Sequence, residues 1–202
     1  MSRARVVRFF GLQIIFGLQI ILNTPKEILN MFKTSAVSLV FALAMSVNAW
    51  AGAQFIDSSK FAVSGYDTVS YFDLTQSAVG SPQASPLPGK ANITAEYNGS
   101  QFAFATEENR KRFLSDPGKF APQFDGHCAF GVAKGGKVPG NPTLWRIVDG
   151  KLYLNIKDTV VSQWEEDIPG NIKTAQKNWK KLEKTAASKA PIPNFTSSAP
   201  TP

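Results

Sequence analysis

Apolar and polar positions change over in short blocks along this chain, with no long stripe of either kind. From Phe55 to Phe72 the β-forming residues Phe61, Val63, Tyr66, Val69, Tyr71 and Phe72 are interrupted at Ser64-Gly65, which predicts a strand or extended arm containing one turn. Gln76 to Lys90 carries Gly80, Pro82, Pro86, Pro88 and Gly89 among Ser and Ala, and so predicts a surface loop. Ile93–Tyr97 and Gln101–Ala105 flank Asn98-Gly99. A type I′ turn needs positive φ at both central residues, and this pair supplies it, so a hairpin is expected. Thr106 is placed to cap a helix with Glu107 and Glu108 at the positive end of its dipole. Phe113 and Leu114 give that helix an apolar face, and Asp116-Pro117-Gly118 ends it.

The same logic applies further on. Trp145–Val148, the turn pair Asp149-Gly150 and Leu152–Leu154 spell a second hairpin. Asp158 or Thr159 starts a short helix through Trp164, stopped by Pro169. Asn171 is expected to cap a last helix whose Ile172, Ala175, Trp179 and Leu182 share one face and dock it on the domain. Thr185–Pro202, made largely of Ala, Ser, Thr and Pro, is expected to be a disordered tail. The folded unit is then residues 54–184. Small antiparallel hairpins packed with short helices make it an α+β domain large enough for one core without staples.

Residues 31–53 read as a secretory signal: Met31, a positive Lys33, an uncharged and mostly apolar run Ala36–Val47, and A-x-A cleavage patterns ending at Ala51 and at Ala53. Upstream, residues 1–30 are either a weak membrane anchor or an extension ahead of the true start at Met31. Their apolar stretch Phe9–Leu22 is shorter than the roughly 20 residues a spanning helix needs. The localisation implied is periplasmic or secreted, with membrane contact only through an uncleaved leader. The charge of +7 shrinks accordingly. Residues 1–53 hold five basic residues and one acidic residue, so the remainder carries 17 basic against 14 acidic residues with no basic cluster, and nucleic-acid binding has no support.

Asp67-Thr68-Val69-Ser70-Tyr71-Phe72, Tyr97-Asn98-Gly99, Phe104-Ala105-Thr106, Asn109, Phe113, Asp116-Pro117 and Phe120 together resemble the YHS domain, a small treble-clef-like module found beside heavy-metal transport proteins. A longer run through Gly126-His127-Cys128-Ala129-Phe130-Gly131, Trp145, Asp149–Asn155, Asp167–Ile172 and Asn178-Trp179 is similar to exported bacterial YHS-domain proteins. The resemblance implies a YHS core with a C-terminal helical extension. Metal-linked members carry cysteines where this chain has Ser70, Ala105 and Asn109, residues that supply no soft ligand.

The chain has one Cys and one His, which excludes an internal disulfide and a four-ligand Cys/His zinc site. Cys128 opens a stretch to Lys134 expected to form one or two helical turns ended by Gly135-Gly136. A thiol at that N-terminus faces unpaired amides that favour its thiolate, whereas the alternative is a small buried apolar side chain between Phe124 and Phe130. His127 beside Cys128 makes a candidate soft-metal pair for copper or zinc, although neighbours on a helix point about 100° apart. Tyr66, Asp67 and Tyr71 either line a pocket near Cys128 or lock the arm down through a buried Tyr–Asp hydrogen bond. Glu165-Glu166-Asp167 is either a cation patch or a solvated face. Three functions follow as expectations: a non-enzymatic binding protein for a small ligand or soft metal ion, a thiol-dependent enzyme or redox protein using Cys128, and a protein-interaction module with an inert thiol.

Overall fold

The computed structural model describes residues 54–199, and their architecture is α+β. Two antiparallel hairpins are each followed by a helix: β1 (Lys90–Tyr97) and β2 (Ser100–Phe104) lead into α1 (Glu107–Ser115). The four-residue helix α2 (Pro117–Phe120) follows, then α3 (Ala129–Ala133). The second hairpin, β3 (Asn141–Val148) with β4 (Lys151–Asn155), leads into α4 (Asp158–Glu165) and the long α5 (Ile168–Leu182). Both hairpin turns form as the sequence predicts, with positive φ at Asn98, Gly99, Asp149 and Gly150. Thr106 Oγ1 accepts from Asn109 N at 3.1 Å, and the stripe Ile172, Ala175, Trp179 and Leu182 packs on the second core cluster. Among the described residues no helix is long and apolar enough to cross a membrane.

Four expectations are corrected. The segment 55–72 is no strand; it bends through short 3-10 turns at Val63–Gly65 and Ser70–Asp73. Pro169 does not stop a helix but sits in the first turn of α5, whose cap is Asp167, accepting from Gly170 N at 3.0 Å; Asn171 instead donates to Trp164 O. Residues 185–199 form no helix or strand, yet they lie against the domain with Ile192 buried, rather than as a disordered tail. In the run Glu165-Glu166-Asp167 the last two residues are solvated, but the Glu165 side chain is neither a cation patch nor solvated: it is buried against Arg146. The expected leader falls in residues 1–53, outside the described residues.

The two hairpin–helix units are built on one plan. In the first, Val63, Ser64 and Gly65 form a left-handed turn with φ of 53°, 52° and 79°; in the second, Phe124, Asp125 and Gly126 repeat it with 56°, 52° and 75°. After each turn one residue bonds back, Tyr66 N to Val63 O and His127 N to Phe124 O, both at 3.0 Å. The next amides reach across: Asp67 N to Leu87 O and Cys128 N to Val138 O, both at 2.9 Å. Gly89 N then returns to Gly65 O, and Gly140 N to Gly126 O. Each of these two glycines begins a hairpin and lies where a Cβ would overlap the opposite strand, 2.6 Å from Ala103 or 2.7 Å from Leu154 Cβ. Each hairpin has its register shift just after its first pair, Lys90↔Phe104 or Asn141↔Asn155. Each following helix seats one aromatic on the second strand: Phe113 on Phe102 with centroids 4.9 Å apart, and Trp164 on Tyr153 at 6.0 Å. Left-handed conformations at Val63, Ser64, Phe124 and Asp125 cost about 1–2 kcal/mol each, so it is the surrounding ladder and core that hold both turns.

The halves differ mainly in one loop. Twenty positions separate Asp67 from Leu87, against ten between Cys128 and Val138. The extra length is a strap, Gln76–Gln83, that crosses onto the second half. Arg146 donates to Ser77 O and Ala78 O, Glu165 Oε2 accepts from Gly80 N at 2.8 Å, and Gln76 Oε1 accepts from Ile147 N. The buried Arg146–Glu165 ion pair holds this strap from below.

Candidate functional site

Cys128 is the N-terminal cap of α3 and has no exposed surface. Its Sγ accepts from Gly131 N at 3.3 Å and donates to Asn155 Oδ1 at 3.4 Å, while Asn155 Oδ1 also accepts from Phe130 N at 3.2 Å. Burial pushes the thiol pKa up, and the amides of Gly131, Ile156 and Phe130 only partly offset that. The helix start expected to favour a thiolate is present, but desolvation outweighs it.

His127 is equally buried. Its Nδ1 lies 2.9 Å from Phe124 O, and its Nε2 accepts from Ser188 N at 3.1 Å, so the ring is the neutral tautomer with the proton on Nδ1. Burial lowers its pKa to about 4. Both nitrogens of the ring are thus engaged by backbone, and a metal ion reaches Nε2 only by displacing the tail. Among the described residues no three His, Cys, Asp or Glu side chains gather as metal ligands would.

Asp67 is fully buried and does lock the arm down, though not through a tyrosine. Its Oδ1 accepts from Val69 N at 2.9 Å and Ser70 N at 3.3 Å; its Oδ2 accepts from Ala105 N at 2.9 Å and Asn109 Nδ2 at 2.7 Å. Tyr71 donates to Pro142 O at 2.9 Å and meets Trp145 edge to face, and burial raises its pKa well above the ordinary phenol value. Tyr66 bonds Ser198 Oγ at 2.7 Å. Among the clefts formed by the described residues, two have volumes of about 670 Å³ and 250 Å³. Neither of these two is lined by Tyr66, Asp67, Tyr71 or Cys128.

The larger cleft lies between the arm residues Ile56–Ser59 and the tail residues Ser188–Ala199. Sequence reasoning missed it because it set the tail aside as disordered. The tail's own signals are Ile192 and Phe195 among prolines and serines. The pairing of Asp67 with Cys128 also escaped the sequence. Its signals are the glycines at 65 and 126, each two residues ahead, and at 89 and 140, one residue before each bulged hairpin. Compared with known protein families, curated proteins and solved structures, the chain matches none.

Proposed function

We propose that the chain is an exported, non-enzymatic binding module of YHS type, in which Cys128 and His127 belong to the scaffold. The observation that carries this reading is the place of the Cys128 thiol: it is solvent-inaccessible, it is engaged as donor and acceptor, and it stands where the other half has Asp67. A thiol in this setting lacks the thiolate character that a nucleophile or redox cysteine needs. The soft-metal reading is supported less well, because His127 Nε2 and Nδ1 are both used by backbone partners. The YHS resemblance covers the first half, and the second half repeats its plan. Export rests on the signal-like residues 31–53.

Two measurements test this reading. Native thiol modification by a disulfide reagent is expected to be slower than in denaturant by about 100-fold or more. Titration with copper(I), zinc and mercury(II), followed by native mass spectrometry, is expected to give no stoichiometric complex lost in Cys128→Ser. Rapid modification of the folded chain, or such a complex, refutes the scaffold role. Mass analysis of the secreted chain is expected to place its N-terminus after Ala51 or Ala53.

A further inference from the structure

We propose that the groove running from His127 to the Ser64–Tyr66 turn is a docking site for a proline- and hydroxyl-rich peptide of a partner protein, occupied in cis by residues 186–199. This inference rests on the binding-module reading and supplies its surface and the chemistry of its partner.

The groove's two ends are equivalent points of the duplicated plan. His127 and Tyr66 each follow a left-handed turn, and each presents a polar ring tip to the tail. His127 Nε2 accepts from Ser188 N at 3.1 Å; Tyr66 Oη bonds Ser198 Oγ at 2.7 Å and accepts from Ser198 N at 3.4 Å. The backbone of the first turn, buried beneath the tail, adds a third point, Ser64 O, which accepts from Ser197 Oγ at 2.6 Å. Between these points the tail is anchored by apolar groups: Ile192 is 7% exposed and Phe195 lies tilted on Tyr66 with centroids 6.3 Å apart. Pro191 and Pro193 flank Ile192 and fix φ on either side of it, and the chain then turns at Pro193-Asn194, where Asn194 has φ of 50°, which brings Phe195 back onto Tyr66.

The tail also fills its seat incompletely. A cleft of about 670 Å³ remains between it and Ile56–Ser59, with Asp57 and Lys189 among its lining. Among the described residues the segment makes no strand pairing and no helix; ring tips, isolated backbone groups and its two apolar anchors hold it. A segment held that way is exchangeable, and a partner sequence that fills the cleft as well competes against the high local concentration of a tethered tail.

The test uses a fluorescent peptide with the sequence of residues 186–199 and the full chain, wild type and Ile192→Asp/Phe195→Asp. The double variant strips the anchors from the tail and frees the groove. It is expected to bind the peptide at least about tenfold more tightly than wild type, and adding Tyr66→Phe weakens that binding by about tenfold while the melting temperature holds. A folded double variant that binds no peptide at about 1 mM overturns the proposal. Should the double variant fail to fold, wild type is titrated with excess peptide: displacement of its Ser188 and Ser198 amide resonances supports the proposal, and unmoved resonances overturn it. A wild-type dimer held by exchanged tails also overturns occupancy in cis. Lack of peptide binding leaves the inert-thiol result untouched and removes only the groove. A reactive Cys128 removes the module reading whatever the peptide does.

Discussion

Asp67 and Cys128 occupy the same place in the two halves of this domain. Each follows a left-handed turn and a ring residue, donates its own amide across to the loop that opens the hairpin, and gathers nearby backbone amides on its side chain. The carboxylate takes four donors. The thiol takes a weaker set and donates its own hydrogen bond to Asn155 Oδ1. The chemistry of the position is therefore that of a local anchor, with two different residue types filling it.

That equivalence ranks substitutions. Asp67→Ala leaves four donors unpaired in a dry site and is expected to cost about 3–5 kcal/mol. Cys128→Ser keeps an acceptor for Gly131 N and a donor for Asn155, and is expected to cost about 1–2 kcal/mol. Urea melts of both variants check the order; a larger loss for Cys128→Ser contradicts the assignment.

His127 and Asp125 drive stability in opposite directions with pH. His127 titrates near 6.5 when unfolded and about 4 when folded, so the unfolded chain binds the proton first; its contribution is present above pH 6.5 and is lost as pH falls toward 4, about 3 kcal/mol in all. Burial raises the Asp125 carboxyl to about 6, so here the folded chain binds the proton first, and that contribution is lost as pH rises through 6. His127→Gln is expected to leave a stability curve that falls between pH 4 and 6, and Asp125→Asn one that rises. Denaturant melts across that range read both slopes.

The Arg146–Glu165 pair holds the strap, and each partner alone is a buried charge. Glu165→Gln is expected to destabilise by about 3–5 kcal/mol, and Arg146→Met/Glu165→Leu by less, since the double change leaves no unpaired ion. In both, hydrogen exchange at Gly80 and Ile147 is expected to quicken as the strap lifts from Glu165 and Ile147.

The hairpins and α1 were legible because their signals are local: Asn98-Gly99, Asp149-Gly150 and Thr106 act within a few residues of themselves. The left-handed turns were not, because Val63 and Phe124 adopt a conformation that their own side chains disfavour and that only the distant ladder enforces. Pro169 misled for a related reason: a proline ends a helix or sits in its first turn, and only Asp167 accepting from Gly170 N decides which. At the candidate site, the residue types pointed to a reactive thiol and a metal pair. They also allowed a small buried thiol at Cys128, and burial, which no spacing reports, is where the structure puts both Cys128 and His127.

The arm and the tail line one cleft, so the described chain comes in and goes out along the same wall. The order of the segments is then largely free of the fold. Gln54 sits at the Asp125–His127 end of that wall and Ala199 at the Gly65 end. A linker that runs the length of the groove, with new ends cut between Asn98 and Gly99 at a hairpin tip, is therefore a rearrangement that keeps both halves, at the cost of fixing the tail in place.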